Sequence, residues 1–70
     1  MDYKERLVNE YVELKEKYTK LRQILIKAEA GTLSFEPTCP ISVLESQLYY
    51  MNEYLRILEV RAEIEKINLS

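Results

Sequence analysis

Six side chains in this sequence can act together as a recognition set: Tyr11, Tyr18, Gln47, Tyr50, Tyr54 and Arg61. Tyrosine rings stack on flat groups and carry a hydroxyl at their rim. An arginine fork grips an anion through paired N–H groups, and a glutamine amide both donates and accepts. Such a set suits a planar, anionic molecule. It is not a set that breaks bonds. The sequence has no His, so the commonest general base and metal ligand is missing. Its one Cys allows neither an internal disulfide nor a thiolate zinc cluster, and its one Gly allows no glycine-rich phosphate loop. Without a His to serve as base, Cys39 reads as a buried loop thiol rather than a nucleophile. Glu5, Glu10, Glu13, Glu16, Glu59, Glu63 and Glu65 fall mostly at solvent-side positions, so paired-carboxylate chemistry is not expected. The sequence therefore supports no enzyme, metal site or cofactor.

Charge and hydropathy narrow the partners. Ten Lys and Arg stand against 12 Asp and Glu, a net charge of −2, with 47% hydrophobic and 31% charged residues. That is too apolar for a disordered acidic tail and too charged for a membrane protein. Lys20, Arg22 and Lys27 are too few for a duplex DNA face against so many acids, and the Lys-rich polar face of a membrane-surface helix is missing. The first residues, Met1-Asp2-Tyr3-Lys4-Glu5, are charged from the second position, unlike a signal peptide. Apolar runs such as Leu48 to Met51 are too short to span a bilayer. A lone Cys suits a reducing compartment, so a cytoplasmic protein is expected.

Two helices must position the six residues. From Asp2 to Ala30 there is no Gly or Pro, and Leu7, Tyr11, Leu14, Tyr18, Leu21, Leu25 and Ala28 recur at spacings of 4 and 3. That is the seam of a coiled-coil-like helix over about 2–30, roughly 43 Å long. Asp2–Arg6, Glu13–Lys17 and Glu16–Lys20 are acid-first pairs for its wet face. Gly31 is the expected left-handed stop, with Lys27 in the last turn. Residues 31–41 form the loop, where Pro37 and Pro40 forbid helix and Leu33 and Phe35 are expected to fold back over the core. A second helix runs over about 42–67. It starts either at a Ser42–Glu45 capping box or with Pro40 at the first helical position. Leu44, Leu48, Met51, Leu55, Leu58 and Ala62 face the first helix. The fold class is all-α: one antiparallel two-helix hairpin over 1–70.

The second helix carries a further row at the same spacing: Val43, Gln47, Tyr50, Tyr54, Ile57, Arg61 and Ile64. It lies about 100–120° around from the first row, so one partner helix cannot cover both. Val8, Val12, Ile24 and Ile26 add to the uncovered surface. A core this short rarely yields more than about 3–5 kcal/mol. Self-association into a homo-oligomer, most simply a dimeric four-helix bundle, is therefore expected. A hairpin midpoint near residue 36 places Tyr11 near Arg61 and Tyr18 near Tyr54. Two readings of this tyrosine-rich zone stay open. In one, Gln47 and Arg61 fix register in an interface filled by tyrosines. In the other, the zone is a ligand groove between protomers, with tyrosines stacking a ring and Arg61 holding an anion.

The pattern Leu7, Glu10, Tyr11, Leu14, Lys17, Leu21, then Cys39-Pro40, Leu44, Gln47-Leu48, Met51, Tyr54-Leu55, Ile57-Leu58 and Arg61, resembles a family of short helical hairpins. These are found in tailed phages and prophages, including crAss-like phages. The run from Gln47 to Arg61 is the most family-like stretch. Most members have no assigned activity. Small oligomeric phage hairpins include proteins that sequester cyclic nucleotide signals of bacterial immunity. That link is one of shape and genome context, and no binding residue is carried across. The resemblance implies a phage-encoded oligomer in the host cytoplasm that counters a defence by holding a cyclic nucleotide or covering a host defence protein. The alternative is a structural or adaptor hairpin that binds itself or another protein.

Overall fold

A computed structural model describes residues 2–69; Met1, the first residue of the charged N-terminal run, and Ser70 lie outside the described residues. Two helices, α1 (Tyr3–Ala30) and α2 (Ile41–Glu65), pack against each other as a helical hairpin, 42 × 18 × 18 Å overall. Asp2 is the N-cap of α1. Its side chain accepts from the Glu5 amide at 2.8 Å, so its carboxylate serves the helix end rather than an ion pair with Arg6. Among the described residues the ion pairs are Arg56–Glu53 and Arg61–Glu65, not the three expected along α1. On an exposed helix face, holding two long side chains together gains little.

Gly31 stops α1 as expected. Its φ of 77° is left-handed, its N–H donates to the Ala28 carbonyl, and the Thr32 N–H donates back to Lys27 at 2.9 Å. These two bonds satisfy carbonyls that the helix end leaves open. The start of α2 differs from both expectations. Pro40, at φ −56° and ψ 142°, is itself the cap residue, and its carbonyl accepts from Val43 and Leu44. Ser42 therefore lies inside the first turn, where it cannot cap the helix. Its carbonyl instead accepts from the Ser46 hydroxyl at 3.2 Å. The far end of α2 comes at Glu65, two residues before the expected end near Ile67. Lys66 turns into the left-handed region at φ 60°, and the Ile67 N–H reaches back to Ala62 at 2.8 Å. The turn places Ile67 and Leu69 on the core.

The buried side chains are Leu7, Tyr11, Leu55, Leu58 and Ala62, with Leu58 fully enclosed. All five lie in the half of the hairpin away from the loop, where Leu14, Tyr18, Ile67 and Leu69 pack against them. The seams continue into the loop half as predicted, but Leu21, Leu25, Ala28, Leu44, Leu48 and Met51 are only half-buried there. The loop does not close that end. Leu33 is half-buried, whereas Phe35, expected to fold back, is 54% exposed. Two prolines within four residues, Pro37 and Pro40, keep this segment out of helix, and it bends at 34–35 and 38–39. Cys39 is half-buried in it.

A left-handed Lys carries a steric cost that glycine avoids. Lys66→Gly is expected to stabilise the hairpin by about 0.5–1 kcal/mol, seen as a rise of several degrees in the thermal midpoint. An unchanged or lower midpoint would show that the Lys66 turn is not strained.

Candidate functional site

The six tyrosines divide between the two halves of the molecule. In the closed half, three phenols reach from one helix to a carboxylate on the other. Tyr3 donates to Glu65 at 3.0 Å, Tyr11 to Glu59 at 2.7 Å, and Tyr54 to Glu10 at 2.6 Å. Glu10, Glu59 and Glu65, read from sequence as solvent-side groups, thus sit at the margins of the seam and accept across it. Lys15 donates to the Tyr11 hydroxyl at 3.3 Å and lies 5.5 Å from its ring centre, closing the only buried member of the set on its wet side. Arg61 donates to the Tyr3 hydroxyl, lies 5.7 Å from that ring and stands 3.7 Å from Glu65.

This arrangement corrects the expected register. Arg61 meets Tyr3 and Tyr11 meets Glu59, where the sequence placed Tyr11 beside Arg61. Tyr54 meets Glu10 rather than Tyr18. The 4-and-3 spacing fixes which face of a helix turns inward, but not how far one helix slides along its neighbour. The phenol–carboxylate bonds also set the local electrostatics. The bond to Glu10, with some desolvation and the negative charge itself, holds the Tyr54 hydroxyl above its ordinary value; Arg61 opposes this. The Tyr3 hydroxyl, above all, holds Arg61 more firmly protonated.

Of the other three tyrosines, Tyr18 packs on the edge of the core and reaches the loop half, where Tyr49 and Tyr50 lie. Tyr18 and Tyr49 line an open groove of about 750 Å³ between the helices, with Arg22, Leu25, Ile26, Glu29, Glu45, Leu48 and Asn52. Tyr49 meets Tyr50 edge-to-face, ring centres 5.2 Å apart at 84°. Of the six residues singled out from sequence, only Tyr18 reaches this groove. Tyr11 is part of the core. Gln47, Tyr50, Tyr54 and Arg61 run along one outward face of α2, with Gln47 and Tyr50 exposed and Arg61 half-buried. Sequence reasoning missed Arg22, Tyr49 and Asn52. The available signal was Tyr49 itself, a large ring on α2 belonging to neither apolar row.

The groove has an apolar floor and an aromatic wall on each helix, with one cation, two carboxylates and an amide at its margins. It can hold a flat ring by stacking and orient it by hydrogen bonds. Among the described residues, no three Cys, Asp or Glu side chains gather as metal ligands would. No helix among them is long and apolar enough to cross a membrane. A hairpin with an open groove and an uncovered helix face offers surfaces for binding rather than a set of catalytic groups. The chain belongs to the Sequestin family, whose model matches residues 1–64, the full length of α1 and all but the last residue of α2. The family name points to holding a ligand or partner. No curated protein and no solved structure matches the chain.

The raised Tyr54 value gives a pH dependence of definite sign. A group whose value is raised on folding contributes stability below its unfolded value, about 10, and that contribution is lost as pH rises through the higher folded value. The tyrosinate absorbance difference between wild type and Tyr54→Phe is expected to have its midpoint above 10. Glu10→Gln should bring that midpoint down. A midpoint unmoved by Glu10→Gln contradicts the assignment of cause.

Proposed function

We propose that this protein works by sequestration: it holds a small nucleotide-type signal in the groove of the loop half, as a self-associating, phage-encoded antagonist of a bacterial defence. The observation that carries this reading is the contrast between the two halves. In the closed half every phenol is engaged by a carboxylate of the opposite helix. In the loop half Tyr18, Tyr49, Arg22 and Asn52 surround an open groove with stacking faces, a cation and an amide. Stacking on Tyr49 and Tyr18 accounts for a base. Asn52, Glu29 and Glu45 account for its polar edges and sugar hydroxyls, and Arg22 for a phosphate. A cyclic nucleotide combines these groups in one molecule.

Sequestration needs affinity and copy number but no chemistry. Bound signal is removed from its receptor by mass action. A chain without His is suited to that task, and the family name supports it. The place of action in this reading is the host cytoplasm. A second reading, a structural or adaptor hairpin without a small ligand, is favoured by one observation. Phe35, Val43, Tyr50, Ile57 and Ile64 leave large apolar groups in water, as a protein-binding surface does.

Calorimetric titration against cyclic di- and trinucleotides and their linear counterparts separates the readings. One or more of them is expected to bind. Tyr49→Ala and Arg22→Ala should each weaken binding by about tenfold or more, as removal of a stacked ring or an anion contact does. Circular dichroism should be unchanged, because both residues are exposed. Silence across the panel, with one host protein recovered stoichiometrically in a pull-down, establishes the adaptor instead.

A further inference from the structure

The outward row of α2 is ordered symmetrically about Tyr54. Three and four residues away stand Ile57 and Tyr50, both apolar rings or branches. Seven away on either side stand Arg61 and Gln47, the only polar members. Ten and eleven away stand Ile64 and Val43. Laid antiparallel on a copy of itself, such a row meets its own kind at every level. Apolar groups meet apolar groups, and each guanidinium meets an amide oxygen. We infer that the protein forms a two-fold dimer in which α2 packs antiparallel on α2 of a second copy, the axis passing close to Tyr54. This rests on the reading of the chain as a self-associating binder and adds the face, the direction and the register.

Four observations carry it. The row is uncovered in the single hairpin, with Tyr50 at 69% and Ile64 at 72% exposure. Its central residue and its cation are already held. Tyr54 is turned back to Glu10 and Arg61 to Tyr3 and Glu65, so little freedom is lost on docking. Arg61 makes one hydrogen bond to Tyr3 and one ion pair to Glu65, so its five-donor fork retains N–H groups for the partner's Gln47. The face is about 32 Å long by the helical rise, and the hairpin is 18 Å wide. The row thus runs along α2 from Val43 to Ile64, the length that a second α2 laid antiparallel would cover. The groove lies on the other flank of α2, lined by Ile41, Glu45, Tyr49 and Asn52. The dimer thus leaves both grooves open and facing away from the axis.

Light scattering of the full chain at tens of micromolar is expected to give twice the 8.4 kDa chain mass. In a Cys39→Ser background, Tyr54→Cys is expected to form a disulfide-linked dimer on mild oxidation, because a residue at the axis meets itself. Tyr49→Cys, on the opposite flank, should remain unlinked. Gln47→Lys places a second cation against the partner's Arg61 and should raise the dimer dissociation constant by about tenfold, whereas Gln47→Glu should not. Gln47 is exposed and is not a member of the core, so both variants should keep their helicity. A monomeric mass, equal cross-linking of the Y49C and Y54C variants, or identical behaviour of Q47K and Q47E overturns the proposal. None of these readouts involves a ligand. A nucleotide panel that is silent leaves the dimer standing, and a monomer leaves the groove standing.

Discussion

Everything in this hairpin depends on how tightly two helices are held at the end away from their connection. Among the described residues Leu58 is the one side chain fully enclosed, and Leu7, Tyr11, Leu55 and Ala62 cluster with it. Around that cluster, phenols from both helices grip carboxylates from both helices, two running from α1 to α2 and one from α2 to α1. A phenol–carboxylate bond has one ionised partner and is stronger than a neutral pair. Its position at the rim of an apolar core spares both groups full desolvation. The register of the whole molecule follows from these contacts, since heptad packing alone would allow a slide.

Closure at one end leaves the other underfilled. The same leucine and alanine seam continues to the loop, but the residues there are half-buried, and Phe35 stays exposed instead of filling the gap. The result is a groove on one flank of α2 and an uncovered apolar row on another. The two surfaces lie on either side of the α2 seam, the groove on one flank and the uncovered row on the other.

Much of this was legible in the residues. The hairpin, the two facing seams, the Gly31 stop and the exposed row from Val43 to Ile64 follow from spacing, because periodicity reports which side of a helix is apolar. Axial stagger leaves no such trace: a midpoint near residue 36 pairs Tyr11 with Arg61, whereas its partner is Glu59. Nor did the acceptors stand out. Glu10, Glu59 and Glu65 look like any solvated glutamate until a ring from the facing helix reaches them. The Ser42–Glu45 capping signal was overruled by Pro40, whose fixed φ starts the helix before Ser42 can cap it. The groove could not be read from either helix alone. It arises from Tyr18 and Arg22 on one and Tyr49 and Asn52 on the other, none close in sequence across the loop.

The uneven burial also makes the hairpin a spring with graded stiffness. Opening free energy follows buried contact density. The loop half can therefore spread or narrow, while the end pinned by Leu58 and its ring of hydrogen bonds keeps its shape. The gap between the helices at the loop end is thereby the part of the hairpin that costs least to widen.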